Sequence, residues 1–179
     1  MRGLLYKIKE MDKLISVFFD KNHPDTFLTG YVNGIDDEFV IINHITPQGF
    51  YDGYICIRID DIICVEYDGK YEDKICSLYQ AKNSNKHIYH SEEVPVKESL
   101  IKWAHSNKIL VSVGVFDTSI LGIVTQMGAL WEIRRIDEYG EEEGISVIYE
   151  DDIEWLAVDS EEEQSARLLL AGNGKRKGR

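Results

Sequence analysis

Asp60-Asp61 and Asp151-Asp152 are the first residues of this 179-residue chain whose type and spacing could do chemistry. Neighbouring carboxylates can hold a divalent cation, meet a basic partner, or tie off a turn by accepting backbone N–H bonds. Each pair stands between apolar runs of strand character, so the turn reading explains them best. His87, His90, Glu92 and Glu93 offer ligand types, but they lie in a polar stretch without helical support and with no cysteine nearby, which argues against a metal site. His23, His44 and His105 are scattered and form no triad. The chain has no phosphate-cradling glycine loop, no nucleophile elbow and no Cys-x-x-Cys. The expectation is a protein without catalytic residues, metal or cofactor.

The elements around these acids occur twice. Leu28-Thr29-Gly30 is answered by Ile120-Leu121-Gly122, Phe39-Val40-Ile41 by Trp131-Glu132-Ile133, Gly53 by Gly144, Asp60-Asp61-Ile62 by Asp151-Asp152-Ile153, and Asp68 by Asp159, with the register shifting by one residue along the way. A repeat of this length is a small domain copied whole, since solenoid units run to only ~20–50 residues. Apolar spacing predicts helices over Gly3–Met11 and Lys97–His105. Runs of β-branched and aromatic residues predict strands over Leu14–Phe19, Phe27–Ile35, Glu38–Ile45, Tyr54–Ile59 and Ile62–Tyr67, then Ile109–Phe116, Ile120–Met127, Leu130–Ile136, Ile145–Tyr149 and Ile153–Val158. The resulting division is a first domain over 1–80, a polar linker over 81–95, a second domain over 96–170 with a short helix from Ser160 to Leu170, and a disordered basic tail over 171–179.

Composition narrows the partners. Hydrophobic residues make up 44% of the chain, enough for two small cores, and no run reaches the ~18 apolar residues of a membrane helix. Cys56, Cys64 and Cys76 are odd in number and lie mainly in apolar patterns, which favours reduced thiols and a cytoplasmic protein. A net charge of -12 repels phosphate and anionic lipid at long range.

A short helix leading into five strands, with Leu28, Gly30, Val32, Ile35, Asp36, Phe39 and Val40-Ile41-Ile42 in the first part and Ile55, Ile57, Ile59, Ile62 and Val65 in the second, resembles the Sm-like (LSm) fold of eukaryotic Sm proteins and bacterial Hfq. The resemblance implies a mainly β chain of two tandem Sm-like (SH3-like) small open barrels, each preceded by a short helix. It also implies single-stranded RNA held by an aromatic residue, an Asn and an Arg-Gly pair. Phe39 fits the stacking position, but Val40 stands at the Asn and Asp60-Asp61 at the Arg-Gly. In the second copy Gly128 stands at the loop Asp, Glu132 at the Asn and Asp151-Asp152 at the Arg-Gly.

Two functions follow as expectations. One is a regulatory or assembly factor touching RNA through Phe39, Tyr31, Tyr51, Arg58, Lys70 and the basic tail Lys175, Arg176 and Lys177. The other is a protein-interaction module that presents Asp151, Asp152, Glu141, Glu142 and Glu143 to a basic partner. Strand edges would allow association between copies of the chain.

Overall fold

The computed structural model describes residues 1–20, 23, 25–82, 89, 95–116 and 118–177. The chain divides into two compact units, Met1–Ser99 and Leu100–Arg179.

The first unit opens with helix α1 (Arg2–Glu10), which buries Leu5 and Ile8 one turn apart. Five strands follow: β1 (Leu14–Phe18), β2 (Phe27–Ile35), β3 (Phe39–Ile45), β4 (Tyr51–Arg58) and, after a 3-10 turn at Ile59–Asp61, β5 (Cys64–Tyr67). Helix α2 (Lys70–Lys82) closes the unit and packs Ile75 and Tyr79 against Leu14 and Ile45. Helix α3 (Val96–Ser106) spans the boundary. The second unit then repeats the plan with β6 (Val111–Val115), β7 (Thr118–Gln126), β8 (Leu130–Ile136), β9 (Glu142–Tyr149), a 3-10 turn at Glu150–Asp152, β10 (Ile153–Val158) and helix α4 (Glu161–Lys177). Its core includes Leu110, Ile136 and Ala166, with Leu121, Ile123 and Leu170 packed around them.

Strand order is β5-β1-β2-β3-β4 in the first unit and β10-β6-β7-β8-β9 in the second. Neighbouring strands within each unit pair antiparallel. Among the described residues no ladder joins β5 back to β4 or β9 back to β10, so the sheet is open. This corrects the expectation of two Sm-like barrels. Closure requires the end strands of a sheet to pair, whereas the four residues of β5 pair with β1, from Ile15↔Tyr67 to Phe18↔Cys64. The RNA-associated regulatory or assembly role inferred from that fold loses its basis with it.

Both long second strands carry a glycine where the next strand's backbone comes very close. A Cβ at Gly30 would lie 2.0 Å from the Asn43 carbonyl oxygen, and one at Gly122 would lie 2.3 Å from that of Arg134. A bulge follows each glycine, at Asn33 and at Thr125, where the pairing slips by one residue. The register shift between the copies lies in the turn before the third strand and not after it. Phe39 therefore pairs with Arg58 as Leu130 does with Tyr149, and Trp131 takes the place of Val40.

Of the expected linker, residues 83–88 and 90–94, including His87, His90, Glu92 and Glu93, lie outside the described residues. In place of a disordered tail from residue 171, the α4 backbone continues to Lys177. Among the described residues no helix is long and apolar enough to cross a membrane.

Candidate interaction surface

In a strand, alternate side chains point to opposite faces. One face of β3 and β4 carries Phe39, Ile41 and Asn43 beside Arg58, Cys56 and Tyr54, and the matching face of β8 and β9 carries Leu130, Glu132 and Arg134 beside Tyr149, Val147 and Ile145. The two faces have opposite fates. Tyr54 and Cys56 are 0% exposed, whereas Ile145, Val147 and Tyr149 are 61%, 60% and 64% exposed.

In the first unit the face is covered by Tyr89 and the start of α3. The Tyr89 backbone N–H donates to Tyr54 Oη at 2.9 Å, and the two rings meet edge to face at 5.5 Å. Asn33 Nδ2 donates to the Tyr89 carbonyl at 3.0 Å and to Asn43 Oδ1 at 3.1 Å. Lys97 Nζ lies 4.5 Å from the Phe39 ring centre, and Val96 N–H donates to Asp36 Oδ2 at 2.8 Å. Asp36 also ties its own turn, accepting from the Glu38 and Phe39 N–H groups at 2.9 and 2.7 Å. Burial pushes the Cys56 thiol up, against the pull of the Lys97 charge.

The second unit shows no such cover among the described residues. Its face offers Leu130, Ile145, Val147 and Tyr149 in a row, with β9 last in the strand order. Carboxylates stand at both ends: Glu142 and Glu143 begin β9, and Glu150, Asp151 and Asp152 follow Tyr149 in the 3-10 turn. Eight strand residues set these two acidic groups ~25 Å apart. Arg134 lies 3.7 Å from the Glu142 carboxylate and Arg135 4.0 Å from that of Glu143, so part of the acidity is answered locally. Arg135 also lines a cleft of about 530 Å³ with Glu138, Glu143, Glu162, Ser165 and Thr118.

The acids expected from sequence to meet a partner are brought to this surface: Glu141, Glu142 and Glu143 at one end and Asp151 and Asp152 at the other, all exposed. The apolar row between them is not legible as a site from sequence, because alternation on β9 looks the same whether its apolar face is covered or bare. The positions expected to touch RNA do not gather. Phe39 is buried with Arg58 and Lys97 over its ring. Tyr31 Oη lies 3.4 Å from Cys76 Sγ in the core around α2, where burial pushes its phenol up. Tyr51 packs on Tyr54, and Arg58 pairs with Glu38. Lys70 is exposed at the start of α2, and Lys175, Arg176 and Lys177 belong to the last turns of α4. Asp60-Asp61 lie in a 3-10 turn closed by the Ile62 N–H on the Ile59 carbonyl at 3.2 Å.

Comparison of the chain with protein-family models, with curated proteins and with solved structures gives no match.

Proposed function

We propose that the chain is a non-catalytic, cytoplasmic protein-binding module that holds a basic, amphipathic segment of a partner across the outer face of β8 and β9. The observation that carries this reading is the row of Leu130, Ile145, Val147 and Tyr149, exposed together and bounded by carboxylates at both ends. Single exposed apolar residues are ordinary on protein surfaces, whereas a contiguous group with a polar border marks a place of contact. Burial of the row supplies affinity, and the acidic ends select for cationic partners and speed their encounter. Three free cysteines suit a reducing compartment.

Fluorescence anisotropy with a labelled peptide of alternating Leu and Lys tests the reading, with a Leu/Glu peptide and uridine-rich RNA as controls. Binding of the Leu/Lys peptide at about 1–10 μM is expected, with at least a tenfold loss, about 1.4 kcal/mol, for Val147→Glu. Neither control should bind. Equal affinity for the two peptides, or indifference to Val147→Glu, removes the reading.

A further inference from the structure

We propose that the cleft beside α4 in the second unit binds a small aromatic amine, with its ring on the apolar floor and its ammonium group against Glu138 and Glu162. None of the four residues of the exposed row lines this cleft, so it is a site of its own. Its volume of about 530 Å³ lies within the ~300–1,000 Å³ usual for small-molecule sites.

The first unit shows what fills this space when the chain supplies it. Phe27 pairs with Phe18 three residues before Gly30, as Ser119 pairs with Gly114 three residues before Gly122. Tyr71 precedes Glu72, the partner of Ser16, as Glu162 precedes Glu163, the partner of Ser112. Phe27 and Tyr71 therefore correspond to Ser119 and Glu162. In the first unit the two rings meet edge to face at 5.4 Å, and Phe27 also packs on Phe18 at 4.9 Å. In the second unit a hydroxyl and a carboxylate stand in place of the rings. Both line the cleft, together with the half-buried Ile120 and Leu121. One unit closes the space with its own aromatic side chains, and the other leaves it open.

The exchange also changes the charge. Glu138 takes the turn position of Pro47, since the Gly140 N–H donates to the Asp137 carbonyl at 3.0 Å as the Gly49 N–H does to that of Thr46 at 2.8 Å. Arg135 and Glu143 repeat the pair of His44 and Asp52, at 4.0 and 3.2 Å. Arg135 is the only cation among the lining residues, and it also donates to the Glu143 carbonyl at 3.1 Å. It is thus engaged by Glu143. Glu138 and Glu162 are the two acids that replace neutral residues of the first unit, and they set the sign of charge the cleft selects. An aromatic acid is repelled there, and an alkylamine without a ring leaves the apolar floor wet.

NMR titration of the isotope-labelled full chain tests this, with phenethylamine as the probe and phenylpropionate and butylamine as controls. Phenethylamine is expected to shift amide signals of residues 118–121, 135–143 and 162–166, with a dissociation constant on the order of 0.1–1 mM. Each control should bind at least tenfold more weakly. Ser119→Phe/Glu162→Tyr restores the pair of rings and should abolish the shifts. Glu138→Gln/Glu162→Gln alters only exposed side chains and should weaken binding about tenfold, so the test stands even if the ring-restoring variant does not fold. Dispersed spectra show which variants are folded.

Absence of localised shifts at about 10 mM phenethylamine overturns the proposal. So does binding that survives in the folded ring-restoring variant or in Glu138→Gln/Glu162→Gln. Equal affinity for butylamine reduces the cleft to an acidic patch that attracts any cation, and equal affinity for phenylpropionate removes the charge selection. Either result also overturns it.

Discussion

Ser16 and Ser112 each donate a hydroxyl hydrogen bond, at 2.5 Å, to a buried carboxylate that a helix brings to the first strand of its unit, Glu72 from α2 and Glu163 from α4. Glu163 uses its other oxygen to accept the Ser160 N–H at 2.7 Å, the return bond of a capping box. One residue thus finishes a helix end and fastens that helix to a strand. Burial holds the Glu163 carboxyl above the usual carboxylate range, while the bonds from Ser112 and Ser160 act in the opposite direction. The folded state therefore takes up this proton more readily than the unfolded chain. Stability from this group is fully present below the ordinary carboxylate value and declines as pH rises through the raised one. Glu163→Gln is expected to abolish that part of the pH slope and to be at least as stable as wild type at neutral pH. Ser112→Ala, which strands a buried carboxylate, should lose about 1–3 kcal/mol. Urea unfolding from about pH 4 to about pH 8 is the measurement, and an unchanged slope in Glu163→Gln would refute the assignment. The sequence carries a signal for this device in Ser160 and Glu163, three residues apart. It is hidden inside an acidic run that is ordinarily a solvated face.

Strands of strong β-branched and aromatic character are legible from sequence. The predicted limits of β2, β8 and β10 match the structure, and α1 and α3 differ by one residue at each end. Helix α2 is not legible in the same way, because Tyr71, Ile75 and Tyr79 are residue types equally at home in strands and their composition masks their spacing of four. Openness of the sheet is not legible either. Alternating burial specifies a strand's two faces but not whether its end strands meet, and a one-residue slip in a turn exchanges the faces. The duplicated glycines are legible as repeat anchors, and their role is close approach of two strands. Gly30→Ala would press a methyl group into the Asn43 carbonyl and should unfold the first unit or cost several kcal/mol. Gly172 lies in α4, where an added methyl group would meet nothing within 4 Å, so Gly172→Ala should gain about 0.5–1 kcal/mol from helix propensity. Thermal denaturation of the two variants separates these roles, and equal effects would contradict the geometry.

For the molecule as a whole, acidity and the exposed row act against each other. A net charge of -12 at neutral pH keeps copies apart at long range, and the sequence isoelectric point of about 4.8 marks where that protection ends. Turbidity is expected to peak near that pH and to fall for Val147→Ser, which removes apolar surface without altering charge. Turbidity equal to wild type would place the sticky surface elsewhere. The paired serine–glutamate fastenings have another consequence, since they give the chain a built-in reference experiment. Ser16→Ala and Ser112→Ala disturb the same fastening in one polypeptide, in one buffer and at one temperature. Any difference between them measures how much the surroundings of a fixed bond, and not its chemistry, set its worth.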